Sequence, residues 1–153
     1  MPEILRAFLA VDEVASLCAI ATSPGVWIAG RQGTGYDTLP LRDTFAGHPL
    51  PPSTQRALAK IGRPYEDYWD AYLIRYLDGA HIPEHVDAAQ HGRRHRRINA
   101  VLAQPRAGGE LRIDGVLVEL DVGDAVLFEP DREIHRVSPV VGTRLLFSVG
   151  AWI

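Results

Sequence analysis

The sequence holds a single cysteine, Cys18, among its 153 residues. An intramolecular disulfide framework is thereby excluded, and a reducing compartment fits. Long hydrophobic runs are missing, and none approaches the roughly 18 residues that a membrane span needs. The apolar stretch from Ile4 to Ala21 carries Asp12 and Glu13 in its middle, a pair that a secretory h-region would not tolerate. The expected location is cytoplasmic, with no membrane partner. A large excess of one charge is absent as well: 16 Lys and Arg against 19 Asp and Glu leave a net charge of -3. That balance argues against a dedicated nucleic-acid partner. No repeat, low-complexity tract or composition break divides the chain. With 46% hydrophobic and 23% charged residues, residues 1–153 read as one ordinary globular domain.

Periodicity splits that domain into two parts. In residues 3–21 the apolar side chains Leu5, Phe8, Leu9, Val11, Val14, Leu17 and Cys18 recur at offsets of three and four, which predicts an amphipathic helix. Residues 30–40 are glycine-rich and polar and read as a loop. A second helix is predicted over Pro52–Ile61, with Ser53 near its start and Gly62 as its stop. The helical part thus covers about residues 1–65. From about residue 68 to 153 the pattern is one of short β-rich runs: Tyr72–Leu77, Ile98–Ala103, Leu111–Ile113, Val116–Leu120, Ala125–Phe128, Ile134–Val137 and Arg144–Val149. Asp114-Gly115, between two of these runs, is the strongest hairpin signal in the chain. Seven short strands at this spacing predict a mainly β fold, a cupin-like jelly roll with the N-terminal helices packed on one side. Such a barrel has a mouth where a few polar side chains converge.

His85-Val86-Asp87 is the first element with chemistry. In a strand, residues i and i+2 share a face about 6.7 Å apart, and an imidazole and a carboxylate so placed can lean onto one metal. His135, in the next-to-last predicted strand, is the candidate third ligand. Two histidines and a carboxylate leave three positions open on an octahedral ion, the facial-triad pattern of non-heme Fe(II) oxygenases. A closed structural zinc site would call for more cysteine than the one present. Taken singly, a His-x-Asp pair or a lone histidine is more often structural. Arg144 adds weight, because it opens the apolar run Leu145-Leu146-Phe147-Ser148-Val149. A guanidinium starting a buried strand needs an anion, and its planar fork matches a carboxylate. Ser148, four residues on and on the same strand face, offers a second hydrogen bond. The alternative for Arg144 is an ordinary rim charge.

The order His85-x-Asp87, Gly108-Gly109-Glu110-Leu111, His135 and Gly142-x-Arg144 resembles the 2-oxoglutarate/Fe(II)-dependent dioxygenases, in particular the prolyl-hydroxylase-like group. The likeness runs from about Tyr72 to Trp152. It implies a double-stranded β-helix fold, with His85, Asp87 and His135 as catalytic iron ligands and Arg144 as partner of the distal carboxylate of 2-oxoglutarate. It further implies Tyr76 as a pocket tyrosine at the cosubstrate, Ser148 as a hydroxyl near the same carboxylate, and Leu111 as a pocket wall. The implied cofactors are Fe(II), 2-oxoglutarate as cosubstrate, and ascorbate as reductant. The implied reaction hydroxylates an unactivated C–H bond of a small-molecule or peptide substrate: a prolyl residue, an amino acid or another metabolite. Succinate and CO2 are the co-products. Two positions depart from the family pattern. Ala103 lies near the usual place of a second pocket tyrosine, and Trp152 falls two residues later than the usual tryptophan, so proline as the target does not follow.

Two other readings compete. His81-Ile82-Pro83-Glu84-His85 matches the H-x-x-E-H pattern of zinc hydrolases, which needs both histidines on one helical face; Pro83 and Gly79 speak against a helix there. A non-catalytic cupin-like binding domain with an idle triad is the second alternative. Beside the site, Arg93, Arg94, Arg96 and Arg97 form a basic cluster within His91–Arg97. It reads either as a mobile, solvated loop or as a rim that attracts an anionic substrate.

Overall fold

The C-terminal strand, Arg144–Trp152, is buried along its whole length of 9 residues, and the rest of the fold is arranged on its two faces. The structure, a computed structural model, describes residues 1–153. In chain order its elements are β1 (Glu3–Leu5), α1 (Val11–Thr22), β2 (Ile28–Ala29), β3 (Tyr36–Pro40), α2 (Pro52–Ile61), β4 (Trp69–Tyr76), β5 (Ile82–His85), β6 (His95–Ala103), β7 (Ala107–Gly108), β8 (Leu111–Ile113), β9 (Val116–Val118), β10 (Ala125–Phe128), β11 (His135–Val137), β12 (Val140–Val141) and β13 (Arg144–Trp152). A 7-stranded antiparallel sheet has the order β1-β10-β6-β13-β4-β3-β2, and a 4-stranded sheet the order β5-β11-β8-β9. β7 and β12 form a small third pairing. This is the mainly β architecture that the strand spacing implies and the double-stranded β-helix that the family resemblance implies. No helix is long and apolar enough to cross a membrane.

Strand alternation builds two cores, because successive side chains point to opposite faces. On one face of the large sheet Leu145, Phe147, Val149 and Ala151 of β13 pack in one apolar cluster with Leu17 of α1 and with Ala57 and Ile61 of α2. On the other face Tyr76, Val101 and Leu146 meet Leu111, Ile113 and Val137 of the small sheet. The helices therefore cover one side of the sheet, and the functional cavity lies on the other. α2 occupies the expected span. Pro52 takes the first helical turn, where its missing N–H costs nothing, and Gly62 ends the helix at φ +118°. α1 and α2 are tied together by Glu13, which accepts from the Ala10 amide at 3.0 Å and from Arg56 at 2.8 Å.

Two stretches differ from the sequence expectation. The first helix begins at Val11, not at residue 3, because Glu3–Leu5 pair with Leu127–Ala125 as an added strand of the large sheet. A long-range pairing here overrides the local helical period. The polar stretch 30–40 is a loop only to Gly35, after which Tyr36–Pro40 pair with β4. The Asp114-Gly115 signal gives a two-residue hairpin between Ile113 and Val116, with both residues at positive φ, +49° and +79°. That is the turn geometry the pair favours.

Candidate active site

The small sheet presents the candidate metal ligands. His85 ends β5 and His135 begins β11, and the two are direct cross-strand partners with ring centroids 4.2 Å apart. Asp87 lies two residues beyond the end of β5. Its amide donates to the Pro130 carbonyl at 2.7 Å, so a backbone bond rather than strand pairing fixes its place. Asp87 Oδ1 is 3.2 Å from His85 Nε2 and 3.9 Å from His135 Nε2. The donor atoms of the three residues all lie within 4.8 Å of one another. Each histidine is oriented by a carbonyl two residues before it: Nδ1 of His85 lies 2.7 Å from Pro83 O, and Nδ1 of His135 lies 2.9 Å from Glu133 O. A carbonyl only accepts, so Nδ1 donates to it and Nε2 is the ring atom left to face the shared point. Burial, joined by the neighbouring His85, holds His135 below the usual histidine range, which favours the neutral, metal-binding form. Two imidazoles and a carboxyl group converging in this way fit a divalent ion with positions left open.

Arg144 lines the same cavity, whose volume is about 200 Å³. It is 4% exposed, and its Nε and Nη1 have no partner within the protein. Its guanidinium sits 5.3 Å from the Tyr76 ring centroid. Burial pushes the Tyr76 phenol up to about 12 and lowers the guanidinium, each against the influence of the other. The phenol therefore stays neutral, while arginine remains a cation. A buried, unpartnered guanidinium is costly unless an anion joins it, so this part of the cavity fits a carboxylate. Tyr76 and Leu111 line the cavity together with Arg144 and the triad.

Ser148 does not join Arg144. Its hydroxyl accepts from Arg97 Nη1 at 2.7 Å and donates to Asn99 Oδ1 at 2.6 Å. Four residues along a strand span about 13 Å, too far for both side chains to hold one carboxylate. The same-face neighbour of Arg144 is Leu146, which lines the cavity. Nor is the zinc-hydrolase pattern supported, because Ile82–His85 is extended and His81 and His85 share no helical face.

The basic cluster also differs from a mobile loop. β6 starts at His95, and strand alternation sends neighbouring arginines in opposite directions. Arg97 points into the cavity and is paired with Asp70 at 2.7 and 3.0 Å. Arg96 donates to the Ile61 carbonyl, Arg94 pairs with Glu129, and Arg93 lies 3.6 Å from the Tyr65 ring centroid. The acidic partners come from distant parts of the chain, which inspection of the local sequence misses. Reading the alternation of Arg97 and Asn99 against Ile98 and Ala100 would have assigned the first two to the inner face. Arg31 was missed as well: it reaches from the loop before β3 to Asp87 Oδ1 at 3.4 Å.

Comparison with known proteins agrees with this geometry. The family described as the 2OG-Fe(II) oxygenase superfamily matches residues 71–153, just over half of the chain. No protein of curated function matches. Among solved structures, the chain is similar to a prolyl-4-hydroxylase from Pseudomonas putida, with a TM-score of 0.74 and 22% identity over 99% of this chain and 91% of that one. A viral collagen prolyl hydroxylase from Paramecium Bursaria Chlorella virus-1, in complex with 2-oxoglutarate, gives 0.65 and 16% over 99% and 96%. HygX from Streptomyces hygroscopicus, with nickel and 2-oxoglutarate bound, gives 0.69 and 13% over 99% and 82%. The chain belongs to the 2OG-Fe(II) oxygenase superfamily. It is a 2-oxoglutarate-dependent dioxygenase, and its cofactors are Fe(II) and 2-oxoglutarate.

Proposed function

We propose that the protein hydroxylates an unactivated C–H bond of a small-molecule or peptide substrate, with His85, Asp87 and His135 holding the iron and Arg144 the distal carboxylate of 2-oxoglutarate. The observation that carries this reading is the pairing, in one cavity, of an oriented His-Asp-His group with a buried arginine that has no partner of its own. Fe(II) with 2-oxoglutarate and O2 supplies oxidative decarboxylation, which yields succinate and CO2 and delivers one oxygen atom to the substrate C–H bond. The chain's own residues do the positioning. The Pro83 and Glu133 carbonyls keep both Nε2 atoms on the shared point. Arg144 binds one end of the cosubstrate, the neutral Tyr76 phenol stands beside it, and Leu111 shapes the wall. Ascorbate fits as a reductant that restores Fe(II) after unproductive turnover.

The test uses protein purified without oxygen. Addition of Fe(II) and 2-oxoglutarate should produce the weak visible charge-transfer band of the bound pair, and admission of O2 should release succinate. Asp87→Ala and His135→Ala should lose iron by elemental analysis. Arg144→Ala should keep iron and bind 2-oxoglutarate about ten- to a hundredfold more weakly, the effect of one or two charge-assisted hydrogen bonds. Unchanged 2-oxoglutarate affinity in Arg144→Ala would return that residue to a structural role.

A further inference from the structure

The large sheet carries a polar relay whose Arg97 and Asn99 line the cavity. It runs from Asp70 of β4, across β13, to Arg97 and Asn99 of β6. Arg97 Nη2 donates to both Asp70 oxygens, Arg97 Nη1 donates to Ser148, and the Ser148 hydroxyl gives its proton to Asn99 Oδ1. Arginine can only donate, which fixes the Arg97 steps, and Ser148, accepting from Arg97, gives its own proton to the Asn99 carbonyl oxygen. The relay ends with the Asn99 amide turned so that its Nδ2 hydrogens have no protein partner, on a residue that lines the cavity. Tyr72 spends its own proton on Asp70 at 3.2 Å. The bridge exists because Gly150 of β13 lies between Arg97 and Asp70: a Cβ there would stand 2.4 Å from Arg97 Nη2 and 2.9 Å from Asp70 Oδ1.

Across the same cavity stands Arg31. Its loop is held by Thr34, whose hydroxyl and amide both donate to the Arg31 carbonyl, while the Thr34 carbonyl accepts from the His81 amide at 2.9 Å. The only acid within reach of Arg31 is Asp87. On the reading of the site given above, Asp87 belongs to the metal and Arg144 to the cosubstrate, and Arg97 is balanced by Asp70. Arg31 is then the one cation of the cavity without a counterion.

We propose that the substrate is a small carboxylic acid whose carboxylate lies on the Asn99 amide and the Arg97 edge, with Arg31 as its counter-charge. Free N–H donors and one unmatched cation are what a carboxylate needs. The cavity limits the part of the substrate that enters beside the cosubstrate. About 200 Å³ is below the roughly 300–1,000 Å³ of most ligand pockets, and the cosubstrate shares it. The proposal rests on the metal and cosubstrate assignment, and its test is arranged so that the two can fail separately.

The probes are a panel of monocarboxylic acids of three to eight carbons, free amino acids included, each with its primary amide. They are titrated calorimetrically into protein loaded anaerobically with Fe(II) and saturating 2-oxoglutarate, and the visible band reports whether the cosubstrate stays bound. At least one acid should bind about tenfold or more tightly than its amide without loss of the band. Asn99→Asp keeps the Ser148 hydrogen bond but replaces the free N–H pair with an acceptor, and should abolish that preference. Arg31→Gln, on an exposed loop, should reduce it to about threefold or less. Asn99→Asp should bind iron and 2-oxoglutarate as the wild type does, and Arg31→Gln, whose guanidinium touches Asp87, is compared at an iron content matched to the wild type by elemental analysis. Equal binding of every acid and amide overturns the proposal, as does an acid that binds only by displacing 2-oxoglutarate or a preference that survives both substitutions. Wild-type protein that takes up neither iron nor 2-oxoglutarate overturns the underlying site assignment, and this proposal with it.

Discussion

The two faces of β13 are built on opposite terms. Toward the helices it presents Leu145, Phe147, Val149 and Ala151, four apolar side chains that need only volume and surroundings. On the opposite face it presents Arg144 and Leu146, which line the cavity, and then Ser148, Gly150 and Trp152, and most of these are defined by a partner. Ser148 has two hydrogen-bond partners, Gly150 is kept small by an ion pair crossing above it, and Arg144 has an unfilled valence. One face stabilises the fold, while the other spends stability on a site held ready for ligands. Substitutions at alternate positions of this strand should therefore separate folding from binding.

The largest effect is expected on the helix side. Phe147 is 0% exposed, and Phe147→Ala should cost about 3–5 kcal/mol through lost burial and the cavity left behind. Denaturant unfolding measures the loss, and the folded fraction should bind 2-oxoglutarate with unchanged affinity. A matching loss of ligand affinity would show that the two faces are coupled.

On the cavity side, Arg144→Met should act in the opposite sense. Removing a buried, unpartnered cation should leave the ligand-free protein as stable or more stable, by about 1–3 kcal/mol. The ligand response should shrink. At a hundredfold excess over its Kd, 2-oxoglutarate should stabilise the Fe(II)-loaded wild type by about 2.7 kcal/mol, and Arg144→Met, binding about ten- to a hundredfold more weakly, should keep only about 0.4–1.4 kcal/mol of it. Anaerobic thermal unfolding with and without 2-oxoglutarate checks both statements. A less stable Arg144→Met would mean that the guanidinium is satisfied within the protein.

Between these extremes stands Gly150→Ala. A Cβ at 2.4 Å from Arg97 Nη2 must displace the Arg97–Asp70 pair, and overpacking of this kind costs about 1–3 kcal/mol. In an Arg97→Ala background the same change should cost less, because the nearest atom it strikes is gone. A double-mutant cycle by equilibrium unfolding measures the coupling. Additive costs would place the strain elsewhere.

How much of this was legible in the sequence depends on how far apart the cooperating residues lie. The Asp114-Gly115 turn was legible because both residues must adopt positive φ, a local demand. The convergence of His85, Asp87 and His135 was legible because few residue types hold a metal, although Asp87 proved to be fixed by the Pro130 carbonyl and not by a strand. Ser148 was misplaced by treating a shared face as a shared location, when four residues of strand carry it away from Arg144. The Asp70–Arg97 bridge and the Arg31–Asp87 contact join residues 27 and 56 positions apart. No local pattern announces them. Edge pairing of Glu3–Leu5 was hidden for the same reason, since its partner strand lies more than a hundred residues later.

The smallest effect separates two arginines that the sequence presents as one cluster. Arg94 and Arg97 are both ion-paired, but the Arg94 and Glu129 side chains are 49% and 24% exposed, against 13% and 19% for Arg97 and Asp70. A solvated pair gains little, because water screens the attraction and ordering two long side chains costs entropy. Arg94→Gln should therefore change stability by less than about 1 kcal/mol, and high salt should shrink even that difference. Arg97→Gln should cost several times more, with a much weaker salt dependence, because Asp70 would be left half-buried beside Tyr72 and Ser148 would lose its donor. Urea unfolding of both variants at low and high salt measures the contrast. Equal costs with equal salt slopes would make the whole run from Arg93 to Arg97 a solvated surface, and would remove the structural ground for giving Arg97 a place in the cavity wall.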